Sequence, residues 1–342
     1  MKALLWGVPL LLLLFIPLGV QSPYALHIFI LLFIAVATGE SWNIIGGFAG
    51  QYSVGHSAFY GLGAYGAFVL LEHNHVAPWF GVWVAVALSA AVALAIGSIT
   101  FRLRGPYFVL ASIAVAEIIR LLALNWKEVT NGAEGILAGD LPVLQIGGRL
   151  ITDWTGKTPY YYMGLAMAVF SIAVNWTVKR SKLGYYLQAI REDQDAAHSL
   201  GIPLTTCKNA ALVISAACTA LAGSFAALYL GFIEPQQVFG LDVSVQMVLV
   251  CIIGGIGTVT GPILGGVVLV LLSEALRSNL IAEGLFKLGL SETSATGAFL
   301  KENLAHAHVL IYGILVIVVI LWMPDGFVGF IGARLRRKAA AS

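Results

Sequence analysis

Apolar runs of about 15 to 24 residues recur from one end of the chain to the other, separated by polar connections of which three are long. A hydrocarbon core roughly 30 Å thick takes about 20 residues per helical crossing, and inside lipid only helices or closed barrels satisfy the backbone. Runs this long and unbroken exclude a barrel. The expected crossings are Ala3–Val20, Tyr24–Ile45, Ser53–Leu71, Pro78–Phe101, Pro106–Asn125, Pro159–Val178, Asn209–Gly231, Asp242–Ile256, Gly261–Leu276 and Val309–Met323. The fold class is therefore an all-α polytopic membrane protein of about ten crossings, some broken or re-entrant, forming a single domain over 1–342. Composition agrees: 11% of residues are charged and the mean hydropathy is +0.90, against about 25% charged in soluble domains. Met1 to Val20 has the lysine and apolar run of a signal peptide, but no A-x-A-like site follows, so it is expected to remain as the first helix.

The placement of cations tests this topology, because Lys and Arg collect in cytoplasmic loops. Twelve fall on one side: Lys2, Arg102, Arg104, Lys179, Arg180, Lys182, Arg191, Lys208, Arg334, Arg336, Arg337 and Lys338. Six fall on the other (Lys127, Arg149, Lys157, Arg277, Lys287 and Lys301), while Arg120 lies inside a crossing. Both termini are then cytoplasmic, and Asp242–Leu276 must be a hairpin turning at Thr258–Pro262 or a re-entrant loop of the same parity. Residues 126–158 and 277–308 become long external loops, 179–208 a cytoplasmic insert, and 334–342 a basic tail suited to anionic headgroups. The net charge of +2 gives no reason to expect nucleic acid.

Several motifs lack the context their chemistry needs. GLGAYG at Gly61–Gly66 matches a dinucleotide fingerprint but lies in an apolar helix rather than after a strand, so helix packing is the better reading, as it is for Gly257, Gly261 and Gly265. TGKT at Thr155–Thr158 has Ile151 where a phosphate loop needs glycine, and it maps outside; any ATP and Mg must be bound by a partner. The pairs His73/His75 and His306/His308 come without a third ligand, so no metal site is assigned. Cys207, Cys218 and Cys251 read as small buried apolar residues. No grouping of nucleophile, base and acid suggests an enzyme. Glu117 and Arg120 are the main polar intrusion into a crossing, either a pair near its outer end or part of a pathway.

Two segments carry positive information. GGFAGQYSVGH, Gly46–His56, separates two crossings with glycines and uncharged polar groups. Transporters break helices where substrates pass, since half-helix ends offer free N–H and C=O groups. Gln51, Ser53 and His56 add neutral donors and acceptors beside Gly50 and Gly55; an interfacial turn is the other reading. In the insert, Leu187, Ile190, Ala197 and Leu200 alternate with Arg191, Glu192, Asp193 and Asp195, which predicts a short surface helix stopped by Gly201 and Pro203.

With these residues in view, the chain resembles the LivM-type permeases of branched-chain amino-acid ABC importers from about Trp42 to Gly329. WNIIGGFAGQYSVGHSAFYGLGAYGAF resembles the family's GQxSxGHxxFxGxGAY, LRGPYFVLASIAVAEIIR its LRGxYFAxxTLAxAE, and TNGAEGI its TxGxxGI/L. LGYYLQAIREDQDAAHSLGI is similar to its LGRALxAIREDExAAxxxGI, IGGIGTVTGPILGG to its GGxGTxxGPxxGA hairpin, and MPDGFVG to its closing motif. The resemblance implies a permease in the bacterial inner membrane, paired with a LivH-type subunit, two ATPases and a periplasmic binding protein. It implies a coupling element of Gly184, Ala189, Ile190, Arg191, Glu192, Asp193, Ala196, Ala197 and Gly201, and a packing hairpin of Gly254, Gly255, Gly257, Gly261, Pro262 and Gly265. Gly50, Gln51, Ser53, Gly55, His56 and Glu117 would line the pathway, and Asn131, Gly132, Glu134 and Gly135 would face the binding protein. Tyr185 and Gln188 depart from basic positions of the family pattern.

Overall fold

The computed structural model describes residues 2–20, 22–74, 78–103, 105–137, 145–146, 149–150, 156–277, 313–314, 317–318, 321 and 326–330. Helix α1 (Lys2–Gly19) leads to α2 (Pro23–Asn43), whose proline occupies a first-turn position where a missing N–H costs nothing. α2 does not stop at its expected end. It continues as a π-helical turn, Ile44–Phe48, followed by irregular chain over 49–56. α3 (Ser57–Asn74), α4 (Pro78–Thr100) and α5 (Pro106–Asn125) follow. Then come α6 (Lys127–Thr130), a 3-10 turn at Gly132–Glu134 and the strands β1 (Ile136–Leu137), β2 (Gln145–Ile146) and β3 (Arg149–Leu150). After α7 (Lys157–Arg180) the insert folds as α8 (Lys182–Glu192) and α9 (Gln194–Ser199). α10 (Leu204–Leu230), β4 (Phe232–Ile233), α11 (Pro235–Phe239), α12 (Leu241–Gly254) and α13 (Gly261–Arg277) complete the order.

Six described helices are long and apolar enough to cross a membrane: Pro23–Phe48, Phe80–Thr100, Pro106–Asn125, Lys157–Arg180, Leu204–Leu230 and Pro235–Gly254. Shorter apolar helices at Leu10–Gly19, Ser57–Leu71 and Gly261–Ala275 fall on three more expected crossings. The expected crossing Val309–Met323 lies mostly outside the described residues, as do the segment 277–308 and the tail; of the two histidine pairs only His73, near the end of α3, is described. The chain is a multi-pass helical membrane protein. Among the described residues the strands form two antiparallel ladders of two residues per strand: β1 with β4, placing Ile136 opposite Ile233, and β2 with β3.

α10 and α2 form the centre. Within their most apolar 18-residue windows, 78% and 67% of residues are buried, compared with 22% in α5 and 28% in α4, which lie at the edge. α10 packs along α3 and α4, while α2 packs along α7, α13 and α10. Lipid removes the hydrophobic drive between helices, so association depends on close van der Waals contact through small residues. A Cβ on Gly63 would sit 2.0 Å from the Ala220 carbonyl oxygen, one on Gly223 would sit 2.1 Å from that of Tyr60, and Ser224 Oγ donates to the Gly63 carbonyl at 2.7 Å. Gly63 thus lies in a seam between α3 and α10, while Gly61 abuts Phe239 of α11 and Gly66 abuts Ala85 of α4.

The parity argument expected α12 and α13 to turn back on each other, as a hairpin of two crossings or as a re-entrant loop, and the two helices pack against each other. α12 has 14 residues, roughly 21 Å of helix, and α11 extends it outward past a break at Gly240. A Cβ on Gly254 would lie 1.8 Å from the Gly261 carbonyl oxygen, and one on Gly265 would lie 1.8 Å from that of Val250. Pro262 and Val250 close on Gly39 of α2, and Gly326, in the C-terminal MPDGFVG motif, sits against the backbone of Gly255. All three cysteines are free and buried.

Gly63→Ala should destabilise the protein by about 1–3 kcal/mol, because the new methyl meets backbone that cannot yield. Gly156→Ala, with nothing among the described residues within 4 Å of its Cβ position, should change stability by less than about 0.5 kcal/mol. Melting temperatures of the two detergent-purified variants decide this; equal values would refute the seam.

Candidate functional site

The break between α2 and α3 is buried, so each backbone group it frees needs a partner within the protein. Gln51 N–H reaches the Ile45 carbonyl at 3.1 Å, Trp42 Nε1–H donates to the Ser53 carbonyl at 2.6 Å, and Val54 N–H donates to Ser112 Oγ of α5 at 3.0 Å. Ser244 Oγ of α12 accepts from Ser57 N–H at 2.7 Å, where α3 begins. Gly55 lies against α5 so closely that a Cβ would fall 2.1 Å from the Ser112 carbonyl oxygen. The expected crossing at Ser53 therefore starts four residues later, because Ser53–His56 are held in the break.

His56 is fully buried between two hydroxyls, with Nδ1 2.8 Å from Ser53 Oγ and Nε2 2.8 Å from Ser215 Oγ of α10. Ser215 spends its one proton on the Ser41 carbonyl at 2.6 Å, so it accepts from His56 Nε2–H, and Nδ1 accepts from Ser53. The network assigns a neutral imidazole and joins the break to the α10 core and the last turns of α2. Gln51 and Ser53 are also buried, and Gln51 Nε2 donates to the Ala49 carbonyl at 3.3 Å. Gly50, Gln51, Ser53, Gly55 and His56 are thus brought together as a packed unit.

Glu117 is not in that unit. Its side chain is 51% exposed and receives a two-pronged bond from Arg120, which also donates to Gln236 of α11 at 2.5 Å. The sequence reading missed Glu40, a fully buried carboxylate three residues before the end of α2. Asn175 Nδ2 of α7 donates to its carboxylate and, at 2.8 Å, to its backbone carbonyl. Glu40 Oε1, Asn175 Oδ1 and Ser171 Oγ have no hydrogen-bond partner among the described residues. An acid within an apolar run, GES at 39–41, was the available signal.

At the end of the π turn, four elements converge. Asn43 accepts from Gly257 N–H and donates to the Thr258 carbonyl, both at 2.9 Å, which ties α2 to the hairpin turn. Lys179 Nζ of α7 donates to the Gly257 carbonyl at 2.9 Å and lies 5.6 Å from the Phe48 ring centre. Arg191 of α8 donates through NH1 to the Gly47 carbonyl at 2.8 Å. The ends of α2 and α12 leave carbonyls without helical partners, and cations are favoured there. Gly255 and Gly257, with φ of 127° and 76°, supply the left-handed turn that presents the Gly257 carbonyl.

The insert differs in detail from a single surface helix. Asp193 is extended and caps α9 by accepting from Asp195 and Ala196 N–H groups at 2.8 and 3.0 Å, so the helix breaks there. Leu187, Ile190 and Ala197 are buried with Ile44, Ile45 and Phe48 in one apolar cluster, and Ala189 packs against it. Leu200 was expected on that stripe but is 82% exposed. Gly184 fits tightly below α7, its Cβ position 2.2 Å from the Val178 carbonyl oxygen, and Gly201 ends α9 with φ of 83°. Glu192, Asp195, Ala196 and Leu200 face outward.

On the opposite side, Thr130 Oγ1 donates to the Ala123 and Trp126 carbonyls, and Asn131 adopts the left-handed conformation at φ of 59°. Asn131 and Glu134 are exposed, whereas Gly132 and Gly135 are buried; Gly135 has the Ile233 carbonyl oxygen 2.4 Å from its Cβ position. Among the described residues no three His, Cys, Asp or Glu side chains form a group able to hold a metal.

The profile of the family described as "Branched-chain amino acid transport system / permease component" matches residues 24–321. The chain is similar to the high-affinity branched-chain amino acid transport system permease protein LivM of Salmonella typhimurium, 31% identical over 71% of this chain and 61% of that protein. It is 28% identical to LivM of Escherichia coli over 90% of this chain and 71% of that protein. It is 23% identical to LivH of Salmonella typhimurium over 69% and 79% of the two chains. The chain thus spans about three-fifths of the length of the Salmonella LivM. No solved structure matches it.

His56→Ala should lower stability by about 1–3 kcal/mol, since it strands the buried Ser53 and Ser215 hydroxyls. Adding Ser215→Ala to it should cost less than the sum of the two single changes. Melting temperatures of the three variants form a double-mutant cycle, and strict additivity would refute the network.

Proposed function

The chain belongs to the family of branched-chain amino acid transport system permease components, and from this we propose that it is the membrane-spanning permease subunit of an ATP-driven importer. It carries leucine, isoleucine and valine from a periplasmic binding protein to the cytoplasm across the bacterial inner membrane, with both termini cytoplasmic. It pairs with a LivH-type permease and with two ATPase subunits that bind ATP and Mg; the chain itself performs no catalysis. The similarity to both LivM and LivH supports a core of two related permeases. The observation that carries the reading is the interrupted α2, a buried polar break joined by Arg191 to a helix pair on the cation-rich side.

Gly50, Gln51, Ser53, Gly55 and His56 act as the pathway element, closed in the arrangement described. Substrate reaches it only when neighbouring helices separate, since Ser112, Ser215 and Ser244 now fill its polar contacts. Glu117 stands toward the outer mouth, held by Arg120, which also donates to Gln236. Asn131 and Glu134 meet the binding protein, on a loop shaped by Gly132 and Gly135. Glu192, Asp195, Ala196 and Leu200 dock the ATPase, Asp193 and Gly201 delimit that helix, and Gly184, Ala189, Ile190 and Ala197 seat it on the membrane body.

Deleting the gene should abolish uptake of labelled leucine, with competition in the intact cells by isoleucine and valine but not urea. Unchanged leucine uptake with lost urea uptake would move the substrate to small amides, and leucine uptake persisting without ATPase subunits would overturn the ATP-driven reading. Leu200→Ser combined with Glu192→Ala should reduce co-purification of the ATPase at least tenfold without changing the amount of permease in the membrane. Undiminished co-purification would place docking elsewhere.

A further inference from the structure

The outward residues of α8 and α9 account for docking, yet Arg191, although itself exposed, also reaches back from α8 to the π turn. Arg191 donates to the Gly47 carbonyl, and the Cβ position of Gly50 lies 3.1 Å from its Cγ. A Cβ on Gly257 would meet its NH1 at 2.4 Å, so the guanidinium is wedged between the π turn and the hairpin turn. Beneath it, Leu187 and Ile190 of α8 share an apolar cluster with Ile44, Ile45 and Phe48. One polar bond and one apolar contact thus join α8 to segment 44–50 at the same place.

Building on the importer reading, we propose that Arg191 is a positioning residue for transport: a tether that makes α8 and the broken end of α2 move as one body. The π turn has one carbonyl to offer at Gly47, and the tether uses it. The apolar cluster resists separation but allows sliding, because dispersion contacts have no direction. The hydrogen bond at 2.8 Å, charge-assisted and fixed by a planar donor, sets the register. Lys179 and Asn43 hold the hairpin turn to the same point, so displacement of α8 is shared between the break and the α12–α13 hairpin.

The test uses the full complex in proteoliposomes and reads leucine moved per ATP hydrolysed. Arg191→Met keeps the aliphatic stem beside Gly50 but removes the donor, and the ratio should fall at least tenfold. Arg191→Lys, which can still donate to Gly47, should stay within threefold of the parent. The Cβ position of Gly50 lies 3.5 Å from Arg191 Cβ, within the range of about 3.5–4.5 Å that a disulfide spans. In Gly50→Cys/Arg191→Cys, oxidation should therefore raise the ratio at least threefold over the same protein reduced; the native cysteines are buried. A parent-like ratio in Arg191→Met, or no gain on oxidation of the double variant, would overturn the tether. Absence of ATP-dependent leucine uptake in the parent complex would instead overturn the importer reading.

Discussion

A helix interrupted inside a membrane exposes backbone groups that lipid cannot solvate, at several kcal/mol for each one left unpaired. Most of the polar contacts described above answer that demand at one place. Trp42 and the hydroxyls of Ser112 and Ser244 take up the break between α2 and α3, while Arg191 and Lys179 take carbonyls at the π turn and the hairpin turn. These partners come from α2, α5, α7, α8 and α12, so the break organises its surroundings. Removing α5, α8 or α12 would leave part of the break or its π turn unsatisfied.

The same demand explains the glycines. Donors and acceptors on separate helices reach one another only if backbones approach nearly to contact, and Gly55 against Ser112 or Gly254 against Gly261 leaves no room for a methyl. Small residues in α10 serve this purpose as well: Ser215 can reach both His56 and the Ser41 carbonyl because α10 lies close to α2. Packing and polar satisfaction are therefore one constraint here rather than two.

Hydropathy made the crossings legible, cation placement made the α12–α13 hairpin legible, and the glycine-rich run marked the break at Gly46–His56. What escaped depended on contacts between distant segments. The glycines at 46 and 47 marked a departure from α-helix, but nothing local distinguished a π turn over Ile44–Phe48 from irregular chain. Glu40 was overlooked because a single acid in an apolar run has no local partner; Asn175 comes from α7. Leu200 was misplaced because helical periodicity was carried through Asp193, where capping ends one helix and resets the phase of the next. Arg191 is exposed at the end of an amphipathic helix, as its pattern suggests, and its bond to the distant Gly47 carbonyl has no local signal.

Gly47, Gly50, Gly257 and Arg191 consequently form a set whose members constrain one another. Gly47 must lack a side chain because Asn43 Oδ1 lies 1.9 Å from its Cβ position, Gly50 because Arg191 lies across it, and Gly257 because the guanidinium and the Gly47 carbonyl press on it together. Gly50 and Gly257 also adopt left-handed backbone at φ of 65° and 76°, which other residues take only with strain. A side chain at Gly50 or Gly257 would press on the arginine and one at Gly47 on Asn43, and without the arginine the Gly47 carbonyl would lose the side-chain donor it has here. The rigidity of the joint comes from this mutual exclusion of alternatives and not from the strength of any single bond, since one hydrogen bond to a charged group contributes only about 1.5–3 kcal/mol.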